Sequence, residues 1–142
     1  MRFPLEIPPA LAAYILDLHW DLELLHALDL PVIELPVADF ADHLDLPFWA
    51  YDDRPFQITA HQVAADPVTY RSQYERTLTA DLRHPIDAVR RPDNRLTILD
   101  GIHRLLRAEL EDRTVVAVRI LPWAELDQIA VRGGGLLPPP RD

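Results

Sequence analysis

The chain has 142 residues, a formal net charge of −9 and neither cysteine nor lysine, so all fourteen of its basic residues are arginines. These absences exclude Schiff-base chemistry, the lysine-dependent P-loop, thiol nucleophiles, disulfides and thiolate metal sites. The acidic balance suits sequence-independent DNA binding poorly, although six arginines and two histidines face three aspartates between Arg83 and Arg107. DNA is the least expected partner. Without a long apolar run or a signal-like start, the expectation is a cytoplasmic protein with no membrane partner.

Residues 1–9 carry Pro4, Pro8 and Pro9 and read as an extended arm. From Ala10 to Leu30 the apolar positions Leu11, Tyr14, Ile15, Leu18, Leu22, Leu25 and Leu28 recur at helical spacing. One amphipathic helix is predicted there, docked on this domain or on a second copy as a homodimer. Val32–Val37 reads as a short strand with Pro36 near its end, and Ala38–His43 as one helical turn. Phe48, Trp49, Tyr51 and Phe56 surround Asp52, Asp53, Arg54 and Pro55, which gives a loop pinned by aromatics or the wall of a pocket.

Asp66-Pro67 supplies an N-cap and a first-turn proline for a helix running to about Leu82, with Tyr70, Tyr74 and Leu78 on one stripe. His84-Pro85 breaks it. Ile86–Val89 reads as a strand and Pro92-Asp93-Asn94 as a turn. The stretch Leu96–Ala108, LTILDGIHRLLRA, then gives a strand, a tight turn at Asp100-Gly101 and a helix. Main-chain amides and the dipole at a helix start favour an anion, and a glycine there admits close approach. Thr114–Leu121 is a strand, Trp123–Val131 a short helix, and the tail RGGGLLPPPRD has no predicted structure. The implied division is 1–30 for arm and helix, 31–123 for the core and 124–142 for a short helix and tail, in one domain overall.

The order of these segments, together with Asp100-Gly101-Ile102-His103-Arg104, resembles the superfamily shared by ParB-type partition proteins, sulfiredoxins and a free-serine kinase. Partition proteins carry G-E-R-R-x-R-A at this turn. Sulfiredoxins carry G-G-C-H-R, in which Ile102 occupies the place of the reactive cysteine, so thiol chemistry is excluded. The serine-kinase type D-G-H-H-R matches at Asp100, Gly101, His103 and Arg104. With no acidic-asparagine box or helix-turn-helix after the last strand, the partition function is not expected.

The resemblance implies an α+β fold with a small mixed sheet, ParB/sulfiredoxin-like, to which the N-terminal helix is an addition. It also implies ATP or another nucleoside phosphate, with Mg2+, bound by Gly101, Ile102, His103, Arg104, Arg107 and His84, for transfer or hydrolysis of phosphate on an unidentified small-molecule acceptor. Glu34, Asp100 and His103 are the catalytic candidates, with Asp39 and Asp42 behind Glu34. Asp100 is read either as the N-cap of the helix or as the ligand of a phosphate-bridging Mg2+, and Arg107 either as a phosphate ligand or as a partner of Glu111. The other histidines, His19, His26, His43 and His61, fall on unrelated segments without HExxH-type spacing, so no metal site made of protein ligands alone is expected. A non-catalytic binding or regulatory module, using the N-terminal helix and the aromatic segment as an interface, is the alternative.

Overall fold

The structure is a computed structural model that describes residues 9–12, 14–16 and 19–131. The N-terminal arm before Pro9 and the Gly/Pro tail lie outside the described residues. Among the described residues six strands and four α-helices follow in mixed α+β order; the α+β class and the small mixed sheet are as the sequence predicts, whereas two of the six strands are not predicted. β1 (Val32–Pro36), β4 (Ile86–Arg90), β5 (Leu96–Asp100) and β6 (Val115–Pro122) form one sheet in the order β1-β6-β4-β5. β4 runs parallel to β6, and the two outer pairs are antiparallel. β2 (Trp49–Tyr51) and β3 (Arg54–Ile58) form a separate hairpin.

The alternation of side chains along the strands separates two cores. Ile86 and Ala88 on β4, and Val116 and Val118 on β6, face α2 (Ala60–Ala65), α3 (Arg71–Leu78), α4 (Ile102–Leu110) and the 3₁₀ segment Val37–Asp45. Phe40, Leu44, Val63, Leu105 and Leu106 close that side with essentially no exposure. Each such side chain contributes about 1.5–3 kcal/mol by leaving water. Val89, Leu99 and Leu121 point the other way and meet Leu16, Trp20, Leu25 of α1 (Leu22–Ala27) and Ile129.

The predicted long N-terminal helix is not continuous. Pro9–Leu11 is a 3₁₀ turn, Trp20 forms an isolated bridge to Ala130, and only Leu22–Ala27 is α-helical among the described residues. Asp21 explains the restart. Its carboxylate accepts from the amides of Glu23 and Leu24 at 2.7 and 3.1 Å, and its extended backbone gives its own amide to Ile129 O. The apolar face of α1 is docked on this chain, with Leu25 fully buried.

Two arginines fasten this segment to the sheet. Arg119 of β6 donates to Leu28 O at 2.7 Å and Leu25 O at 2.9 Å, which satisfies carbonyls at the negative end of α1. Arg91 donates to Ile15 O at 2.9 Å and to Thr97 Oγ1 at 2.7 Å.

Two further elements differ from the sequence reading. The aromatic segment is the β2–β3 hairpin, because Asp52 and Asp53 take φ of 54° and 60°, the paired positive values of a two-residue type I′ turn. The helix predicted from Pro67 to about Leu82 starts later and ends earlier, and an unpredicted helix precedes it, so that Asp66 is the C-cap of that helix rather than the N-cap of the predicted one. Thr59 and Gln62 form a capping box that starts α2, Asp66 ends it, and α3 runs only from Arg71 to Leu78. Among the described residues no helix is long and apolar enough to cross a membrane.

Candidate functional site

A cleft of about 840 Å³ runs along the free edge strand β5 and past the start of α4. This is within the usual range for a small-molecule site. Trp49, Phe48 and Phe56 of the hairpin region form one wall, Ala80, Asp81, His84 and Pro85 another, and Tyr14–Leu16 with His26 a third. Of the residues singled out from the sequence, Asp100, Gly101, Ile102, His103, Arg104 and His84 all line it. Glu34 does not, since it stands exposed on the opposite edge strand β1. Arg107 is also outside the cleft, donating to Glu111 Oε2 at 2.8 Å and to Ala80 O.

The turn at the centre depends on Gly101. Its φ is +127°, and a Cβ there would lie 3.1 Å from Ile86 Cγ1 and 3.3 Å from the Ile86 backbone. Both conformation and space therefore require glycine. Gly101 is the N-cap of α4, and no side chain caps the helix. The reading of Asp100 as the cap is corrected accordingly, because its carboxylate is turned to other groups. The amides at the start of α4 are thus a donor set beside the cleft.

The side chains around the turn are already engaged. Arg104 donates to Asp100 Oδ2 at 2.8 Å and to Pro85 O. His103 stacks on the buried Trp49 ring at 4.4 Å between centroids and places Nε2 2.7 Å from Gln73 Oε1. His84 is exposed, 3.8 Å from Asp81 Oδ2, and the Arg83 side chain followed by its backbone amide holds the Asp81 carboxyl well below the usual range. Of the six arginines between Arg83 and Arg107, four are paired with carboxylates and two are hydrogen-bonded to uncharged side chains. Arg83 meets Asp81, Arg95 meets Asp93, Arg104 meets Asp100, Arg107 meets Glu111, Arg90 meets Asn94, and Arg91 meets Thr97.

Three residues that the sequence left apart meet in the cleft. His26 Nε2 lies 3.0 Å from Asp100 Oδ2 and 3.7 Å from Asp87 Oδ2. Asp87 is buried, with its Oδ1 accepting from Arg119 Nε at 2.7 Å. His26 comes from the last turn of α1, Asp87 from β4 and Asp100 from the end of β5. The ligand atoms of the three lie within 4.8 Å of one another. This departs from the expectation that no protein-only cluster would form. No spacing rule could have found it, since His26 and Asp100 are 74 residues apart.

Comparison of the chain with family models, with curated proteins and with solved structures gave no match.

Proposed function

We propose that the cleft binds a nucleoside phosphate or a closely related phosphorylated small molecule, with the phosphate at the start of α4. The observation that supports this most directly is the Gly101 turn, where an uncapped helix start opens onto a cleft of about 840 Å³. Main-chain amides at such a start bind anions without needing a free arginine, which fits a turn whose Arg104 is already paired. The aromatic wall offers flat apolar surface to a base. Phe56 in that wall holds a φ of +57°, a strained value for a bulky residue that often accompanies ligand sites.

Phosphoryl transfer is the reaction class this arrangement suits, with an acceptor on the His26, Asp87 and Asp100 side of the phosphate. Arg104 and Arg119 pair with the carboxylates of that cluster, and any role in charge stabilisation requires them to exchange partners.

The test is a melting curve of the chain with ATP, ADP, CTP or inorganic pyrophosphate at millimolar concentration, with and without a divalent cation. A ligand that binds only the folded state raises the midpoint, by about 2.7 kcal/mol of stabilisation at one hundred times its Kd. A midpoint unmoved by all four would contradict the reading.

A further inference from the structure

We infer that His26, Asp87 and Asp100 form a binding site for a divalent cation of the Mn2+ or Zn2+ class. The site goes beyond the phosphate reading and does not depend on it.

The separations fit a shared ion. Two ligand atoms each about 2.1 Å from a metal lie about 3.0 Å apart at a right angle and about 3.6 Å apart at 120°. The His26–Asp100 and His26–Asp87 separations are 3.0 and 3.7 Å.

The second observation is the state of Asp87. Its side chain is 4% exposed, its Oδ1 is taken by Arg119, and its Oδ2 lies 3.7 Å from His26 Nε2 in the cleft that Asp87 lines. An ion between that oxygen and His26 would use the acceptor capacity that Arg119 leaves on the carboxylate.

The outer contacts match those of metal ligands. Arg119 holds Asp87 through its other oxygen, and Arg104 donates to Asp100 Oδ2, the oxygen nearest His26, so both carboxylates are oriented by a second group. Arg119 also holds Leu25 O and Leu28 O on either side of His26, which fixes the helix turn that carries the imidazole. One imidazole with two carboxylates favours Mn2+ or Zn2+ over Mg2+, because Mg2+ takes oxygen ligands and keeps its waters. Three protein ligands leave further coordination positions on the cleft side, as in catalytic rather than structural sites. Because Asp100 immediately precedes Gly101, an anion at the start of α4 would lie beside the ion.

The test uses the full chain, stripped of metal with a chelator and held in a buffer free of phosphate. It is titrated calorimetrically with MnCl2 and with ZnCl2. One equivalent is expected to bind, and His26→Ala, an exposed position whose loss leaves the cores intact, is expected to weaken binding at least about ten-fold. Asp100→Asn should weaken it in the same way. His61→Ala removes another histidine that lies between two carboxylates, Asp45 and Glu109, and should leave binding unchanged. The site is refuted if neither metal binds as a saturable single equivalent, if His26→Ala binds as tightly as the parent, or if His61→Ala is the variant that loses the metal.

Discussion

The two faces of the four-stranded sheet are built on different terms. Towards α4 the central strands present Ile86, Ala88, Val116 and Val118 to a core that is mainly apolar. Towards α1 the same strands present Asp87 beside Val89 and Arg119 beside Leu121. The first face only needs to be filled. The second face carries a buried ion pair whose remaining hydrogen bonds go to the carbonyls of α1, so the N-terminal segment is positioned by polar contacts as well as by Leu25. A protein needing only stability would gain as much from apolar residues there. The difference is that a directional face holds His26 at a set distance from two carboxylates.

Single substitutions separate the two faces. Arg119→Ala leaves Asp87 buried without its partner and removes a donor from Leu25 O and Leu28 O, and it is expected to cost about 3–5 kcal/mol in denaturant unfolding. Leu105→Ala on the apolar face is expected to cost about 2–5 kcal/mol through its cavity. The sharper distinction lies in combination. Replacing Asp87 and Arg119 together by apolar residues should cost much less than the two single losses added, whereas Leu105→Ala should add to either of them independently. Simple additivity of Asp87 and Arg119 losses would mean that the pair does not organise its face.

Two histidines on the apolar side give smaller effects of opposite sign with pH. His43 is buried and accepts from Ile98 N–H at 3.3 Å, and burial pushes its pKa from 6.5 down to about 4. A folded-state pKa below the unfolded value means stability that is present above pH 6.5 and lost as the pH falls towards 4, by about 3 kcal/mol. His43→Gln, which keeps an acceptor for Ile98, should flatten that part of a stability scan. Burial acts to lower the His61 pKa, and its bonds to Asp45 and Glu109 overcome this and raise it. Its contribution is therefore present below pH 6.5 and disappears as the pH rises through the raised folded value. His61→Ala should lose stability mainly on the acid side; a loss confined to alkaline pH would contradict the pairing.

The stretch from β5 to α4 was legible because local chemistry determines it. A branched apolar run, one glycine able to take φ of +127° and a run of helix formers leave little choice. β1 and β6 were readable for similar reasons. The Thr59-Gln62 capping box is present in the sequence but is overshadowed by the stronger Asp66-Pro67 signal. The hairpin was hidden by Asp52-Asp53, a rarer I′ pair than Asn-Gly, and by Pro55 inside its second strand. Periodicity alone extended the N-terminal helix through Asp21, whose side chain instead starts a new one. In the cleft, Asp100 to Arg104 were found because they are contiguous. His26, Asp87 and Arg119 come from three separate segments, and only the packing of α1 over β4 and β6 brings them together.

The central claim is that the start of α4 and the His26 cluster are two halves of one site. Calorimetric titration of ADP into metal-free and Mn2+-loaded chain, corrected for the binding of ADP to free Mn2+, tests it directly. The account predicts that Mn2+ tightens ADP binding by about five-fold or more in the parent and leaves it unchanged in His26→Ala. Equal ADP affinity with and without Mn2+ in the parent, or the same tightening in His26→Ala, would contradict it.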